Sequence, residues 1–406
     1  MSDQIETQAK MNSEKQPPSG LLGKIRSSLQ GLDMGILPII LGIFLVWAIF
    51  QIANNHFLSS LNLTNLMLQI AAEGTITVGI ILVLLLGDLD LSVGSVSGLC
   101  AGIMAVLNVK AGWPGWLAIL VGIASGVLIG LFQGFWIVKI RVPAFIVTLA
   151  GMMGWEGALL LVLGNTGTVN IRDPFILSLA GTFYPHWVGW LVAGIGIVLS
   201  ISSIIHNRVE RKKSGLPVTS WVIAIIKCVL VTAVIIGAII VMNGNRGLPS
   251  AVVIFVGLVV IFDFITQKTK FGRYVYAVGG NADAARRAGI NVDRIRITVF
   301  TIASTMAAVG GILAASRLLA VNQASGSGDL QMNTIAAAVI GGTSLFGGVG
   351  NVWSALIGTI MIGSISNGMD LLAFPSSIKF IITAVVLVIS VTIDAVSKRK
   401  REAKGN

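Results

Sequence analysis

The series of long apolar runs constrains this chain more than any other feature. Each run is about 20 residues long, the length at which a helix rising about 1.5 Å per residue spans the hydrocarbon core of a bilayer. Only 11% of the 406 residues are charged, whereas soluble domains carry about 25%. Short alternating segments, the mark of a spanning β-barrel, are missing from the sequence. We therefore predict an all-α, polytopic membrane protein.

The spacing of the runs predicts a bundle of about 10–12 spans. The runs fall near 34–54, 65–86, 91–109, 116–138, 143–163, 187–205, 221–242, 248–266, 297–319, 333–345, 352–372 and 377–396. The run 333–345 is short and is followed closely by two glycine pairs, so a broken or re-entrant half-helix is expected there.

The positions of the basic residues predict the orientation. Most of the 28 Lys and Arg residues lie in the N-terminal tail, in two turns, in a long loop at 268–296 and in the C-terminal tail. Even numbers of runs separate the first four of these segments, so the positive-inside rule places them in the cytoplasm. We expect cytoplasmic tails at 1–33 and 397–406 around a membrane domain at 34–396. The net charge of +11 then reflects topology, and no nucleic-acid partner is expected.

Polar side chains recur on the second run. Asn65, Gln69, Glu73 and Thr77 are each four residues apart and share one helix face. A carboxylate within a membrane is costly unless it faces water or a partner. This stripe either borders the path of a polyhydroxy solute or forms hydrogen bonds with neighbouring helices.

Two acids and a serine interrupt the apolar sequence at 87–95. Asp88, Asp90 and Ser92 lie between two runs, and Asp90 either caps the following helix or belongs to a broken helix beside a transport path. The sequence Val-Gly-Ser-Val at 93–96 has an echo in Val-Gly-Asn-Val at 349–352. Interrupted helices at corresponding places in two halves are typical of transport sites.

Glycines recur at every fourth position on two runs, which puts them on one helix face where another backbone can approach closely. We interpret them as packing seams, within one subunit or between two. They are Gly94, Gly98 and Gly102 on the third run, and Gly122, Gly126, Gly130 and Gly134 on the fourth.

The loop at 268–296 contains the signals of a short helix. Asn281 is a good N-cap and Gly289 a good C-terminal stop, with Ala284 and Ala285 between them. A helix this short is unstable alone, so we expect it either to dock on a cytoplasmic partner or to lie on the membrane surface.

Catalytic and nucleotide-binding motifs are missing from the sequence. It has no P-loop, the three histidines show no metal-ligand spacing, and no nucleophile elbow is present. We expect no enzyme activity, catalytic residue, bound metal or cofactor in this chain. A transporter of this kind uses an ion gradient or a separate ATPase.

The sequence resembles the permease subunits of ATP-binding-cassette carbohydrate importers, in the ribose/xylose/galactose branch. The resemblance covers about 34–396, and the xylose permeases are the most similar because of an extra segment near 206–245. Two departures are Asp88, where the family often has Glu, and Glu73, where an uncharged residue is expected. The motifs that carry the resemblance are 90–94, 142–149, 272–290, 340–345 and 347–348.

The resemblance implies a bacterial inner-membrane importer of a monosaccharide, most similar to those for D-xylose. Two permease copies would form the pore, a cytoplasmic ATPase would bind ATP and Mg, and an extracytoplasmic sugar-binding protein would deliver substrate. The ATPase would dock on a coupling loop, whose residues would be Gly272, Arg273, Gly280, Asn281, Ala284, Ala285, Gly289 and Ile290. The main alternative is an ion-coupled secondary carrier with its ion site at Glu73, Asp88 or Asp90.

Overall fold

The computed structural model describes residues 37–215 and 221–404. The predicted tail at 1–33 lies outside the described residues, as do the last two residues of the C-terminal tail. Helix accounts for 79% of the structure, which confirms the predicted all-α class.

Fifteen helices are present in the described residues. They are α1 Leu37–Ala53, α2 Ser60–Leu85, α3 Val93–Val109, α4 Gly115–Val138, α5 Ala144–Leu163, α6 Pro174–Gly181, α7 His186–Lys213, α8 Trp221–Asn243, α9 Ser250–Lys268, α10 Lys270–Gly280, α11 Ala282–Arg287, α12 Val292–Leu318, α13 Gly328–Ile340, α14 Ser354–Leu371 and α15 Ser376–Lys404. Among them α2, α4, α5, α7, α8, α9 and α12 are each long and apolar enough to cross a membrane, and α1, α3 and α15 contain shorter apolar stretches. These helices confirm a polytopic membrane protein.

The chain divides into two compact units. The smaller unit includes 191–237, where the guanidinium of Arg208 lies 4.1 Å from the ring centroid of Trp221. The larger unit comprises 39–190 and 238–406, and it contains every candidate site residue.

Short strands join one end of the larger unit, which we call the strand end. Strand β1 (Thr168–Asn170) pairs antiparallel with β4 (Ala320–Asn322), and β2 (Phe183–Tyr184) pairs with β3 (Leu248–Pro249). The amide of Asn54 donates to the carbonyl of Leu371 over 3.4 Å at the same end. The connections after α1, α5, α12 and α14 therefore meet at this end.

Irregular segments meet at the opposite end, which we call the loop end. The N–H of Gly348 donates to the carbonyl of Leu85 over 2.9 Å, and the hydroxyl of Tyr276 donates to the carbonyl of Gly350 over 2.9 Å. The loops 86–92 and 341–353 thus contact each other and α10. A cavity of about 980 Å³ opens at this end between 87–89, 137–145 and 286–296.

The predicted loop at 268–296 is more helical than expected. Helix α10 occupies its first part, and α12 begins at Val292 rather than near 297. The hydroxyl of Thr269 accepts from the N–H of Gly272 and so caps α10, while the side chain of Asn291 accepts from the N–H of Arg294 and caps α12. These two caps were the signal in the sequence for the extra helical residues.

Helix α13 has 13 residues, about 20 Å at 1.5 Å per residue, which is too short for a core of about 30 Å. It runs from Gly328 to Ile340, earlier than the predicted 333–345. The segment before it packs on α3, because a Cβ at Gly94 would lie 2.7 Å from the carbonyl oxygen of Gly326. This is the expected half-helix.

Candidate functional site

The polar stripe on α2 runs from the surface into the core. Asn65 is exposed and Gln69 partly buried, whereas Glu73 and Thr77 are buried. The amide of Gln69 donates to Oε1 of Glu73 over 3.3 Å, and the hydroxyl of Thr77 donates to the backbone carbonyl of Glu73 over 2.8 Å. These hydrogen bonds stay within α2 and do not reach a neighbouring helix.

Charged residues of two other helices act on Glu73 electrostatically. Arg317 of α12 and Asp370 of α14 both interact with it electrostatically, and Lys379 of α15 forms an ion pair with Asp370. Arg317 and Asp370 lie near the last residues of their helices, towards the strand end. The buried carboxyl of Glu73 is therefore within electrostatic reach of charges on α12 and α14.

Asp88 joins the loop 86–92 to the start of α12. Nη2 of Arg296 donates to Oδ1 of Asp88 over 3.1 Å, and Nε lies 3.0 Å from Oδ2. Two-point contact between guanidinium and carboxylate fixes both position and orientation. Burial raises the pKa of Asp88, while the positive charge of Arg296 acts to lower it.

Asp90 does not cap the next helix, so the capping interpretation is wrong. The residue at the N-cap of α3 is Ser92, and it makes no side-chain capping bond. Oδ1 of Asp90 instead accepts from the N–H of Ser92 over 2.8 Å and from its hydroxyl over 2.7 Å. Burial raises the pKa of Asp90, whereas its bonds from Ser92 act to lower it. The broken-helix interpretation is consistent with this geometry.

Two residues that the sequence analysis did not select complete this network. Nε2 of Gln133 donates to the hydroxyl of Ser92 over 2.7 Å, and Trp155 of α5 lies beside it across Gly151. The available signal for Gln133 was one amide in an otherwise apolar, glycine-rich helix. Trp155 carried no such signal, because tryptophans occur throughout the spans.

The coupling-loop residues form an exposed surface at the loop end. The side chain of Asn281 accepts from the N–H of Ala284 and caps α11, and Gly289 ends the turn with a φ of 83°. Ala285 and Gly272 are buried against the chain. The residues that face outward are Arg273, Gly280, Asn281, Ala284 and Gly289, with Ile290 partly buried.

Backbone contact connects this surface to both loops. A Cβ at Gly279 would overlap the carbonyl oxygen of Leu85 and would lie 2.8 Å from the nitrogen of Gly348. Gly347 also packs on Gly87, and both have φ near 80°, a conformation that favours glycine. Movement of α10 would therefore directly displace the C-terminal end of α2 and the loop before α14.

The structure places the glycine seams inside this chain. A Cβ at Gly126 would lie 2.8 Å from the carbonyl of Ser304, and one at Gly130 would lie 2.7 Å from the carbonyl of Phe300. Gly122 faces α3 and α12, and Gly134 faces Ile297 of α12. On α3, Gly94 and Gly98 face the segment 325–326, and Gly102 faces Leu159. The close approach of α4 to α12 depends on these missing side chains.

Metal chemistry has no visible site in the part of the chain that the structure describes. There, no group of three or more His, Cys, Asp or Glu side chains is placed to hold an ion.

Comparison with known proteins gives a consistent result over nearly the whole chain. The family model described as "Branched-chain amino acid transport system / permease component" matches residues 62–391. The chain is 34% identical to the xylose transport system permease protein XylH of Escherichia coli K12 over 92% of this chain and 95% of the relative. It is 33% identical to XylH of Haemophilus influenzae over 92% and 99%. It is 30% identical to the ribose import permease protein RbsC of Bacillus subtilis over 89% and 92%. No solved structure matches.

Proposed function

The chain belongs to the family of branched-chain amino acid transport system permease components, and we propose that it is the membrane subunit of an ATP-driven monosaccharide importer. D-xylose is the proposed substrate, because the xylose permeases match over more than nine-tenths of both chains. As a permease subunit it is not an enzyme. Two copies form the pore, a separate cytoplasmic ATPase hydrolyses ATP with Mg, and an extracytoplasmic sugar-binding protein delivers the sugar.

The contact of α10 with the loops 86–92 and 341–353 is the observation that supports a transporter driven by ATP. An exposed α11 lies beside α10, whose Gly279 touches the end of α2 and the loop 341–353 by backbone contact. A partner that moves α11 would shift the loop end. ATP would then favour the pore state to which the ATP-bound ATPase binds more tightly. We therefore propose 268–296 as the coupling segment within a permease domain at 34–396.

The orientation of the chain follows from charge. The loop end carries Lys139, Arg141, Arg273, Arg286 and Arg287, and the positive-inside rule puts such a surface in the cytoplasm. We propose a multi-pass protein of the bacterial inner membrane, with both the tail at 1–33 and the tail at 397–406 in the cytoplasm.

An ion-coupled carrier is the second candidate, and one observation favours it. Glu73 is 8% exposed and interacts with Arg317 and Asp370, and buried ionisable residues in a membrane often belong to ion or proton paths. The contacts of α10 with both loops have no role in such a carrier.

Uptake of labelled xylose into liposomes tests the proposal. We expect accumulation only when the ATPase, the binding protein and ATP accompany the chain. Accumulation driven by a proton or sodium gradient, with the chain alone, would establish the carrier and remove the role of the coupling segment. ATP-driven uptake of another sugar but not xylose would keep the mechanism and reject the substrate.

A further inference from the structure

Three buried polar atoms around Ser92 lack a hydrogen-bond partner among the described residues. They are Oδ2 of Asp90, Oε1 of Gln133 and Nε1 of Trp155. Asp90 is 3% exposed and Gln133 is 1% exposed. A buried polar atom without a partner costs roughly 1–3 kcal/mol, so a group of three is a candidate site for hydrogen bonds to another molecule.

Ser92 and Gly151 connect the three side chains. Ser92 links the first two, since its hydroxyl donates to Oδ1 of Asp90 and accepts from Nε2 of Gln133, both over 2.7 Å. A Cβ at Gly151 would lie 2.9 Å from Nε2 of Gln133 and 3.0 Å from Nε1 of Trp155. Both nitrogens therefore pack closely on the backbone of Gly151, where a larger residue would place a crowded Cβ.

The unpartnered atoms have the chemistry of a hydroxyl site. The carboxylate and amide oxygens accept hydrogen bonds, and the indole N–H donates one. A hydroxyl group both donates and accepts, so it satisfies the indole and one of the oxygens together. A cation would meet the indole donor, and an anion would meet Asp90.

The site borders the outer face of α5, along which a solute could reach it. Trp155 is half-buried, and its ring meets the exposed Phe132 edge-on with centroids 5.9 Å apart. The next residue, Glu156, is exposed, and no described atom lies within 4 Å of a Cβ at Gly154 or Gly157. A carboxylate is costly in hydrocarbon, which favours an aqueous path along this face.

We propose that Asp90, Gln133 and Trp155 bind neighbouring hydroxyl groups of the transported sugar as it passes the N-terminal end of α3. The inference rests on the proposed sugar import and assigns Gln133 and Trp155 to it as substrate-contacting residues. Water has the same hydroxyl chemistry, and the experiment separates the two sources.

Trp155→Phe tests the site because it removes the indole N–H and keeps an aromatic ring. In liposomes with the ATPase and binding protein, we expect xylose uptake at low sugar concentration to fall about 3- to 10-fold, the ratio for one neutral hydrogen bond. ATP hydrolysis stimulated by the loaded binding protein should stay within about two-fold of wild type. Trp116→Phe is the matched control, because it makes the same change at an exposed position of α4, and it should leave uptake unchanged.

Monodeoxy xyloses that the binding protein still binds identify the ligand. Wild type should transport one of them more slowly than xylose, and Trp155→Phe should abolish that difference. Equal losses for xylose and every analogue would mean that water fills the site, and the inference would fall. Absence of ATP-driven uptake in wild type would overturn the importer instead. In that case, thermal stabilisation of the purified chain by xylose, lost in Trp155→Phe, still tests the site.

Discussion

The two interrupted helices of this molecule are held in different ways. The first break, 86–92, carries two carboxylates, and side chains fix both of them: Arg296 holds Asp88, and Ser92 holds Asp90. The second break, 341–353, has no charged residue. Its bonds to other segments include those from Gly348 to the carbonyl of Leu85 and from Tyr276 to the carbonyl of Gly350. Within the loop, the side chains of Ser344 and Asn351 accept from backbone N–H groups.

The difference shows which kind of substitution each break tolerates. The first break depends on charge and hydrogen-bonding groups, so isosteric changes of polarity should disturb it. In the second break Gly342, Gly347, Gly348 and Gly350 all have φ between 71° and 157°, where side chains are strained. That break depends on missing side chains, and volume should disturb it most.

The largest effect is expected from Gly279→Val, because the new side chain would push α10 away from the two breaks. A Cβ there would overlap the carbonyl oxygen of Leu85, to which Gly348 donates. Overpacking of this kind costs about 1–3 kcal/mol of stability, and displacement of the junction should lower ATP-driven uptake more than about ten-fold. Uptake and thermal unfolding of the purified protein measure the two effects.

Gly257→Val is the matched control for that change. It makes the same substitution within α9, and a Cβ there would meet no described atom within 4 Å. We expect normal uptake and a stability within about 0.5 kcal/mol of wild type. Normal uptake by Gly279→Val would show that the contact of α10 with the two breaks carries no coupling.

The next effect is expected at the ion pair of the first break. Asp88→Asn, Arg296→Gln and the double variant form a double-mutant cycle, in which the coupling free energy of the pair should be about 1–2 kcal/mol. The side chain of Asp88 is only 12% exposed and that of Arg296 is 35% exposed, so water screens the pair partly. Denaturation in detergent measures each free energy of unfolding.

Arg286 and Asp293 provide the control pair for this cycle. Their charged atoms lie 3.7 Å apart, and both side chains are more than half exposed, so their coupling should be below about 0.5 kcal/mol. Equal coupling in the two pairs would mean that the first break is not held by charge.

A smaller effect is expected from the titration of Asp90, which has no counterpart in the second break. Burial raises the pKa of this carboxyl in the folded state, so the folded protein binds the proton more tightly than the unfolded chain. Stability should therefore rise as the pH falls from neutral through the raised pKa. Asp90→Asn should flatten the part of the Tm profile that lies below neutral pH, and an unchanged slope would assign it to another group.

The positions of the apolar helices were largely predictable because hydrophobic length is a local property of the sequence. The echo between 93–96 and 349–352 also pointed to both breaks. However, 93–96 lie in the first turn of α3, whereas 349–352 precede α14. The similar residues at 93–96 and 349–352 therefore occupy different positions relative to their helices, because the second loop is longer and its turns are formed by glycines.

The site was less predictable because its bonds join residues far apart in sequence. Asp90 looked like a cap from its position before a helix, yet its contacts run through Ser92 to Gln133 on α4. In the sequence, Arg296 was one of many basic residues that indicate orientation, and nothing in its position pointed to the ion pair with Asp88. Spacing along one helix identified the α2 stripe, but it could not show that Arg317 and Asp370 act on Glu73 electrostatically.

The smallest effect is expected on the α2 stripe, which tests whether the solute path extends away from the two breaks. Gln69 precedes Leu85 by about 24 Å along the helix axis, and its amide donates to Glu73 over 3.3 Å. If the stripe borders the path, Gln69→Leu should lower xylose uptake about two- to five-fold, roughly the value of one weak hydrogen bond. Thr77→Val should change uptake less, because the hydroxyl of Thr77 is buried and already bonded to its own helix. Normal uptake by both variants, at normal expression, would make the stripe structural and leave the two breaks as the polar lining of the path.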